Sequence, residues 1–181
     1  MYMKPDKNLS LFAVTGASGV GKSTICEILF KNETHYIVLE GDLFWHEVYN
    51  TPENDYRDYS ELKLRVCANI SQIGKPVVLC GCVVPEQLEV CDGRKFFSKI
   101  YYIAIVCDDD ELENHMRIGR GINDENYIKS SIDFNRWLIE NADKSGNKIK
   151  LINITELSPE EAAKKVDKWI INMIDKINDK G

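Results

Sequence analysis

A nine-residue stretch near the amino terminus constrains the fold and the chemistry of this chain more than any other feature. Residues 16–24 read GASGVGKST, which fits the pattern G-x-x-x-x-G-K-[ST] of a phosphate-binding loop. Glycines allow the backbone to take positive φ and to approach an anion closely, so that successive amide groups form a nest facing the phosphates. The pattern therefore predicts a binding site for a nucleoside triphosphate.

The residues on either side of this loop predict the structural setting that the motif requires. Before it, residues 9–15 read LSLFAVT, a short apolar run typical of a buried parallel strand. After it, Ile25, Ile28 and Leu29 recur at helical spacing. A strand, a glycine-rich loop and a helix follow in the required order, which argues against a turn that carries a fortuitous lysine.

Apolar runs alternate with helical patterns along the rest of the chain. The five predicted strands span 9–15, 35–40, 76–80, 100–106 and 149–154. Helical periodicity appears between the strands, as in Leu62, Val66, Ile70 and Ile73. The last helix has the clearest pattern, a single apolar stripe formed by Ala162, Val166, Ile170, Met173, Ile174 and Ile177. A capping box opens the last helix. This alternation predicts a single α/β domain over residues 1–181, with helices on both faces of a mostly parallel sheet.

The composition narrows the range of partners and locations. No apolar run is long enough to span a bilayer, and the first ten residues lack the apolar core of a signal peptide. We therefore expect a cytoplasmic protein without a membrane partner. The net charge of −6 argues against a general affinity for nucleic acid, which requires a basic face.

The six cysteines are expected to behave as small buried hydrophobic residues. None forms a C-x-x-C pair. Cys80, Cys82 and Cys91 as zinc ligands are a weaker alternative, because their spacing is atypical and no histidine stands near them.

Asp42 follows the second predicted strand, in the run LEGD over residues 39–42. Ligands of parallel sheets bind at the carboxyl ends of strands. A carboxylate at this position can orient or deprotonate an attacking hydroxyl, or hold Mg²⁺ through water. The structural alternative is a helix N-cap, where aspartate is favoured. Glu40 is expected to point to the other side of the sheet.

The third predicted strand ends in Gly81 without the acidic pair that a hydrolytic motor would carry there. Gly81 is consistent either with a close approach of the backbone to phosphate or with a plain turn. The missing acidic residue disfavours a motor ATPase.

Two of the six arginines, Arg117 and Arg120, stand three residues apart in a glycine-containing segment. That spacing predicts a shared face at a helix end. Arginine supplies a fixed positive charge of the kind that phosphoryl transfer requires, and the glycines would let the segment open and close as a lid. The alternative is a basic helix end that is favourable through the helix dipole. Arg136 is a weaker third candidate.

Together these residues give the chain a resemblance to the small P-loop kinases, a group that includes nucleoside monophosphate, gluconate, shikimate and adenylyl-sulfate kinases. The resemblance covers residues 9–174 and rests on the loop at 16–24, on the run at 39–42, which is similar to the L-D-G-D of gluconate and adenylyl-sulfate kinases, and on the segment 117–120. It implies a three-layer fold with a five-stranded parallel sheet in the order 2-3-1-4-5 and a short lid at about 117–126. It also implies ATP with Mg²⁺ as donor, with adenine near Arg117 and near residues 153–157.

The function that follows from this resemblance is an ATP-dependent kinase, a transferase that moves the γ-phosphoryl group to a small-molecule acceptor. A nucleoside or nucleotide is the favoured acceptor, and a sugar acid or polyol is the alternative. The expected nucleotide-binding residues are Gly16, Ala17, Ser18, Gly19, Val20, Gly21, Lys22, Ser23 and Thr24.

Within this expected site, each reactive residue has its own role. Lys22 would neutralise the β/γ-phosphates, and Ser23 would ligate Mg²⁺. Asp42 would act on the acceptor hydroxyl, and Arg117 and Arg120 would cover the transferring group. A nucleotide-dependent regulatory ATPase is the rival class, since such loops serve both purposes. The protein is expected to be a monomer or a homodimer.

Overall fold

Five parallel strands form the central layer of the molecule. The computed structural model describes residues 9–32, 35–144 and 146–179. The strands are β1 (Ser10–Thr15), β2 (Ile37–Glu40), β3 (Val77–Cys80), β4 (Lys99–Val106) and β5 (Ile149–Asn153). They lie in the order β2-β3-β1-β4-β5, and every pairing is parallel. The predicted strands and their order are confirmed.

Six α-helices among the described residues cover the two faces of this sheet. They are α1 (Lys22–Asn32), α2 (Arg57–Ser71), α3 (Pro85–Glu89), α4 (Asp109–Asn114), α5 (Glu125–Asn141) and α6 (Pro159–Asn178). Three short 3₁₀ turns connect β2 to α2, and a π-helical turn follows α4. Within the described residues, no helix combines the length and the apolar character needed to span a membrane.

The alternation of side chains along each strand divides the core in two. Phe12 and Val14 of β1 contribute to a cluster with α1 and α6, whereas Leu11 and Ala13 contribute to a second cluster beneath α2 and α5. All six residues of β1 are buried because this strand lies in the middle of the sheet. This two-sided burial explains why the strand reads as a continuous apolar run.

Helix α6 begins and packs as its sequence predicts. The Ser158 hydroxyl accepts a hydrogen bond from the Glu161 amide at 3.2 Å, and the Glu161 carboxylate accepts one from the Ser158 amide at 2.9 Å. This reciprocal capping box satisfies two amide groups that the first helical turn leaves unpaired. The predicted stripe packs against the cluster on the α1 face.

Helix α2 buries a different face from the one that its apolar residues predict. Leu62, Val66 and Ile70 are only half-buried, and Ile73 lies beyond the helix with 68% of its surface exposed. The buried residues of the helix are Tyr59, Ser60, Lys63, Leu64, Cys67 and Ser71. The helix itself is present as predicted, and its buried face borders the cavity as well as the apolar core.

Two of the six cysteines are bonded to each other, contrary to the expectation from the sequence. Cys26 in α1 and Cys80 at the end of β3 form a disulfide that joins the helix after the phosphate-binding loop to a central strand. Of the four free thiols, three are buried as expected and Cys82 is exposed. The two bonded residues are 54 positions apart in sequence, so only the fold brings them together.

Candidate active site

A cavity of about 1250 Å³ opens at the carboxyl edge of the sheet. One wall, called here the loop side, consists of residues 18–25 at the end of the loop and the start of α1. A second wall, the α2 side, is formed by residues from 42–63 and 82–87, and it meets the loop where the Cys82 thiol donates a hydrogen bond of 3.3 Å to the Gly16 carbonyl. The π-helical turn and α5 border the cavity between them. Parallel α/β sheets bind their ligands at this edge, which makes the cavity the candidate active site.

The loop side has the backbone geometry of a phosphate nest. Gly19 and Gly21 have φ values of 87° and 102°, in the left-handed region that favours glycine. A Cβ atom on Gly19 would lie 2.5 Å from Cγ of Met116, so there is no room for a side chain. Residues 18–24 line the cavity, whereas Gly16 and Ala17 are buried beneath them. These residues fit the triphosphate of a nucleotide.

Lys22 and Ser23 begin α1 directly beneath the nest. The Lys22 ammonium donates a hydrogen bond of 2.8 Å to the Ala17 carbonyl, and the side chain is buried. Ser23 is exposed and lines the cavity, where its hydroxyl is available to a ligand. The positive end of the α1 dipole adds to the attraction for an anion at this point.

Asp42 lines the cavity as part of the α2 side. It belongs to the 3₁₀ turn Gly41–Phe44 that follows β2, and its side chain is exposed. Among the described residues its carboxylate has no hydrogen-bond partner. The absence of a side chain on Gly81 leaves room for it, since a Cβ atom there would lie 3.3 Å from Asp42 Oδ1. Glu40 does not line the cavity, in agreement with strand alternation.

Aromatic side chains form much of the α2 side. The Trp45 ring lies 5.1 Å from the Tyr59 ring and 6.2 Å from the Tyr56 ring, measured between centroids. Tyr56 and the residue before it, Asp55, have φ values of 56° and 53°, an unfavourable conformation for residues with side chains. Backbone strain of this kind clusters at functional sites.

Lys63 and Ser60 lie on the buried face of α2 and border the same cavity. The Lys63 ammonium lies 4.2 Å from the centre of the Tyr59 ring. Its aliphatic chain packs against Gly41, where a Cβ atom would lie 3.2 Å from Lys63 Cδ. Burial lowers the pKa of Lys63 to about 8, an effect that the Asp42 carboxylate opposes.

Tyr59 connects α2 to the turn that carries Asp42. Its hydroxyl donates a hydrogen bond of 2.6 Å to the Gly41 carbonyl. Burial, together with the nearby Asp42 carboxylate, raises the pKa of Tyr59 to about 12. Tyr59 therefore stays neutral and keeps this hydrogen bond over the physiological pH range.

The structure separates the two arginines that the sequence places in one lid. Arg120 lines the cavity and donates a hydrogen bond of 3.0 Å to the Ser18 hydroxyl on the loop side. Arg117 does not line the cavity and pairs instead with Glu113 at 2.7 Å and Glu125 at 2.6 Å. The predicted shared face is wrong, because residues 115–119 form a π-helical turn, which is wider than an α-helical one.

Of the other residues in and after the predicted lid, some line the cavity and some do not. Residues 120–124 form a loop before α5, as the sequence predicts. The hydroxyl groups of Tyr127 in α5 and Ser18 in the phosphate-binding loop lie 2.6 Å apart, within hydrogen-bonding distance. Arg136 is exposed and pairs with Asp109 at 2.5 Å, so it does not face the cavity.

The residues that give the α2 side its chemical character form no motif in the sequence and were not among the predicted site residues. They are Tyr56, Tyr59, Ser60, Lys63, Cys82 and Gln87. One pattern in the sequence could have indicated them: polar residues occur at positions on the buried face of α2.

Comparisons with known proteins place the chain by its fold. No protein-family model matches the sequence, and no curated protein matches it either. Similar solved structures include a sugar kinase from Janibacter sp. HTCC2649 (14% identity, TM-score 0.66, covering 90% of this chain and 94% of that one). A gluconokinase from Sinorhizobium meliloti 1021 has 14% identity and a TM-score of 0.64, with 96% and 99% of the two chains covered.

A shikimate kinase from Bacteroides thetaiotaomicron is also similar, at 14% identity and a TM-score of 0.53, with 90% of this chain and 98% of that one covered. All three structural neighbours are kinases, and the likeness extends over nearly the whole of each chain. Together with the strand order and the phosphate-binding loop, these neighbours show that the chain has the fold of the small P-loop kinases.

Proposed function

We propose that the protein is an ATP-dependent kinase that phosphorylates a small molecule. The observation that carries this proposal is the pairing of two features in one cavity. The loop side presents a phosphate nest, and the α2 side presents the Asp42 carboxylate, which has no partner among the described residues. Phosphoryl transfer requires this arrangement, in which a bound phosphate chain faces a group that can position the attacking oxygen.

The loop side would hold the donor. The amides of residues 18–21 would cradle the phosphates, and the Lys22 ammonium would move from the Ala17 carbonyl to a phosphate oxygen. The Ser23 hydroxyl would ligate Mg²⁺, and the bound ion would neutralise negative charge on the phosphates. Arg120 already reaches the loop through Ser18 and would lie over the transferring group. Arg117 would act indirectly, by holding the turn in place through its two ion pairs.

The α2 side would hold the acceptor. Asp42 would accept a hydrogen bond from the acceptor hydroxyl and take its proton as the new phosphate ester forms. If the acceptor attacks through a phosphate oxygen, no base is required and Asp42 would bind the acceptor or the metal instead. A nucleoside or nucleotide remains the first acceptor class to test. The structural neighbours are named for other acceptors, so sugar acids and polyols belong in the same panel.

The proposal is tested by measuring ADP release from Mg·ATP with the protein alone and with each member of that panel. A large stimulation by one acceptor, together with its phosphorylated product, is the expected result. Slow ATP turnover that no acceptor stimulates would favour the regulatory ATPase instead.

A further inference from the structure

We propose that Lys63 and Ser60 form a subsite for an anionic group of the acceptor, so that the acceptor is a phosphate- or carboxylate-bearing molecule rather than a neutral alcohol. This inference rests on the proposed function and narrows its acceptor class. It selects a nucleotide or a sugar acid over a nucleoside or a polyol.

The first support is a buried lysine that lacks a counterion. Lys63 is 3% exposed, and within the described residues it forms neither an ion pair nor a hydrogen bond. Its contact is with the face of the Tyr59 ring. A buried charge is costly unless it is paired, and the lowered pKa of Lys63 reflects that cost. An anion entering the cavity would supply the missing partner.

The second support is independent of charge. Ser60 is 1% exposed, borders the cavity one helical turn before Lys63, and has a buried Oγ atom with no hydrogen-bond partner. It is the only such side-chain atom in the part of the chain that the structure describes. Buried polar atoms are normally satisfied, and an orphaned one calls for an explanation. An acceptor oxygen would satisfy it.

The third support is the position of the subsite beside the reacting groups. Residues i and i+3 of a helix lie on the same face, so Ser60 and Lys63 present a hydroxyl and an ammonium side by side. The Lys63 chain lies against Gly41, next to Asp42. An acceptor held at its anionic end by Lys63 and Ser60 would thus have a hydroxyl within reach of Asp42. The rings of Trp45 and Tyr56 would enclose its remaining surface.

The acceptor class is tested with matched pairs of substrates that differ only in the anionic group. One pair is D-gluconate and D-glucitol, and the other is a nucleoside 5′-monophosphate and its nucleoside. We expect phosphorylation of the anionic member of one pair, with a KM at least about tenfold below that of its neutral counterpart. Preference for gluconate identifies a carboxylate, and preference for the nucleotide identifies a phosphate. Equal or better use of a neutral member overturns the inference.

The residues are tested with substitutions that have matched controls. Lys63→Met should raise the acceptor KM by about tenfold to a hundredfold with little change in the KM for ATP, since a charge-assisted hydrogen bond is lost. Lys63→Arg should restore much of the affinity. Lys99→Met is the control, because Lys99 also lies over a tyrosine ring, at 4.9 Å from Tyr101, but outside the cavity.

Ser60→Ala separates ligand binding from folding. A serine whose hydroxyl has no internal partner can be replaced without loss of stability, so the unfolding temperature should stay the same or rise. The acceptor KM should nevertheless increase. If Lys63 instead served only to balance Asp42, Lys63→Met would lower kcat equally for anionic and neutral acceptors, and that result would reject the subsite.

A binding measurement distinguishes failure of the subsite from failure of the kinase proposal. The protein is saturated with Mg²⁺ and the β,γ-imido analogue of ATP, which occupies the loop side, and each panel member is titrated by calorimetry. Binding of an anion that Lys63→Met abolishes supports the subsite even where no phosphotransfer occurs. If an acceptor is phosphorylated and its affinity is unchanged by Lys63→Met, the result supports the kinase proposal and overturns the subsite.

Discussion

The two walls of the cavity differ in the kind of groups that they offer to a ligand. On the loop side, eight consecutive residues, 18–25, line the cavity, with the glycine-rich backbone of the loop and one lysine among them. On the α2 side, side chains from three separate segments meet: the turns after β2, the first half of α2 and the residues after β3. Backbone recognition requires glycines at fixed spacing and leaves a pattern in the sequence. Recognition by side chains imposes no such spacing.

This contrast explains why one ligand can be assigned more readily than the other. In the proposed function the loop side would bind phosphate whatever is attached to it, because its amides and Lys22 would contact only the phosphates. The α2 side must fit one acceptor, and its residues differ in kind: a free carboxylate, a buried ammonium and an aromatic cluster. Substitutions on the two walls should therefore affect different kinetic constants.

The largest effect is expected on the loop side, from Lys22→Ala. Loss of one positioned charge from the transition state should lower kcat/KM by about 100- to 1000-fold. Steady-state kinetics measures the loss, and circular dichroism checks that the fold is intact. Lys31→Ala is the control, because Lys31 lies at the far end of α1 and pairs with Glu27 on the surface. Wild-type phosphotransfer by Lys22→Ala would contradict the assigned role.

A smaller loss, confined to the chemical step, is expected from Asp42→Asn. An amide cannot take the acceptor proton, so kcat should fall by about 100-fold while ATP affinity hardly changes. Glu40→Gln is the control, since Glu40 ends β2 without lining the cavity. An equal loss of ATP binding would instead assign Asp42 to the metal or to the turn.

Substitutions of Arg117 and Arg120 test whether only the arginine that lines the cavity acts on the transferring group. Arg120→Ala should lower kcat by about tenfold or more, because the guanidinium that lines the cavity is removed. Arg117→Ala should cost less, since it breaks two partly exposed ion pairs that contribute little individually. A larger effect of Arg117→Ala on kcat would show that the lid rearranges when nucleotide binds.

The smallest expected effect is a pH dependence of the KM for an anionic acceptor, which would arise from Lys63 on the α2 side. Lys63, with a pKa of about 8, is charged below that pH and neutral above it, so anion affinity should fall as the pH rises. The KM of an anionic acceptor should increase by about tenfold between pH 7 and 9. The KM for ATP serves as the internal control, because Lys63 lies on the α2 side.

Other titratable groups near Lys63 must be separated from it. They are Asp42, Tyr59, Cys67, Cys82 and Cys91. Burial keeps Tyr59, Cys67 and Cys91 protonated over this range, with pKa values of about 12, 12 and 11. Lys63→Arg should abolish the dependence, because arginine stays charged. A dependence that survives in Lys63→Arg but disappears in Cys82→Ser would assign it to the thiol.

The fold could be predicted from the sequence because the loop motif and the alternation of apolar runs indicate the same arrangement of strands and helices. The phosphate-binding loop requires a strand before it and a helix after it, and the alternation of apolar runs supplied the other strands. The carboxyl end of β1 at Thr15 and the capping box of α6 were predicted correctly, and the start of β1 was one residue early, since each depends on neighbouring residues. The Cys26–Cys80 disulfide was missed because it depends on contact between distant elements.

The site could be predicted only where local sequence determines it. The placement of Asp42 follows from the end of a strand, and it lies at the cavity as expected. Lys63 and Ser60 were missed because a polar residue in an amphipathic helix is normally assigned to solvent. The spacing of Arg117 and Arg120 misled because it was interpreted with α-helical geometry, whereas their segment forms a π-helical turn.

The paired left-handed residues Asp55 and Tyr56 bear on how acceptor specificity could be altered by design. Tyr56 owes its place at the cavity to two consecutive unfavourable backbone conformations, so inserting or deleting a residue here would displace the aromatic wall as a whole. Replacing side chains at Trp45 or Lys63 leaves that backbone untouched. A library restricted to such positions would vary the shape and charge of the wall in small steps while the scaffold that carries it stays fixed.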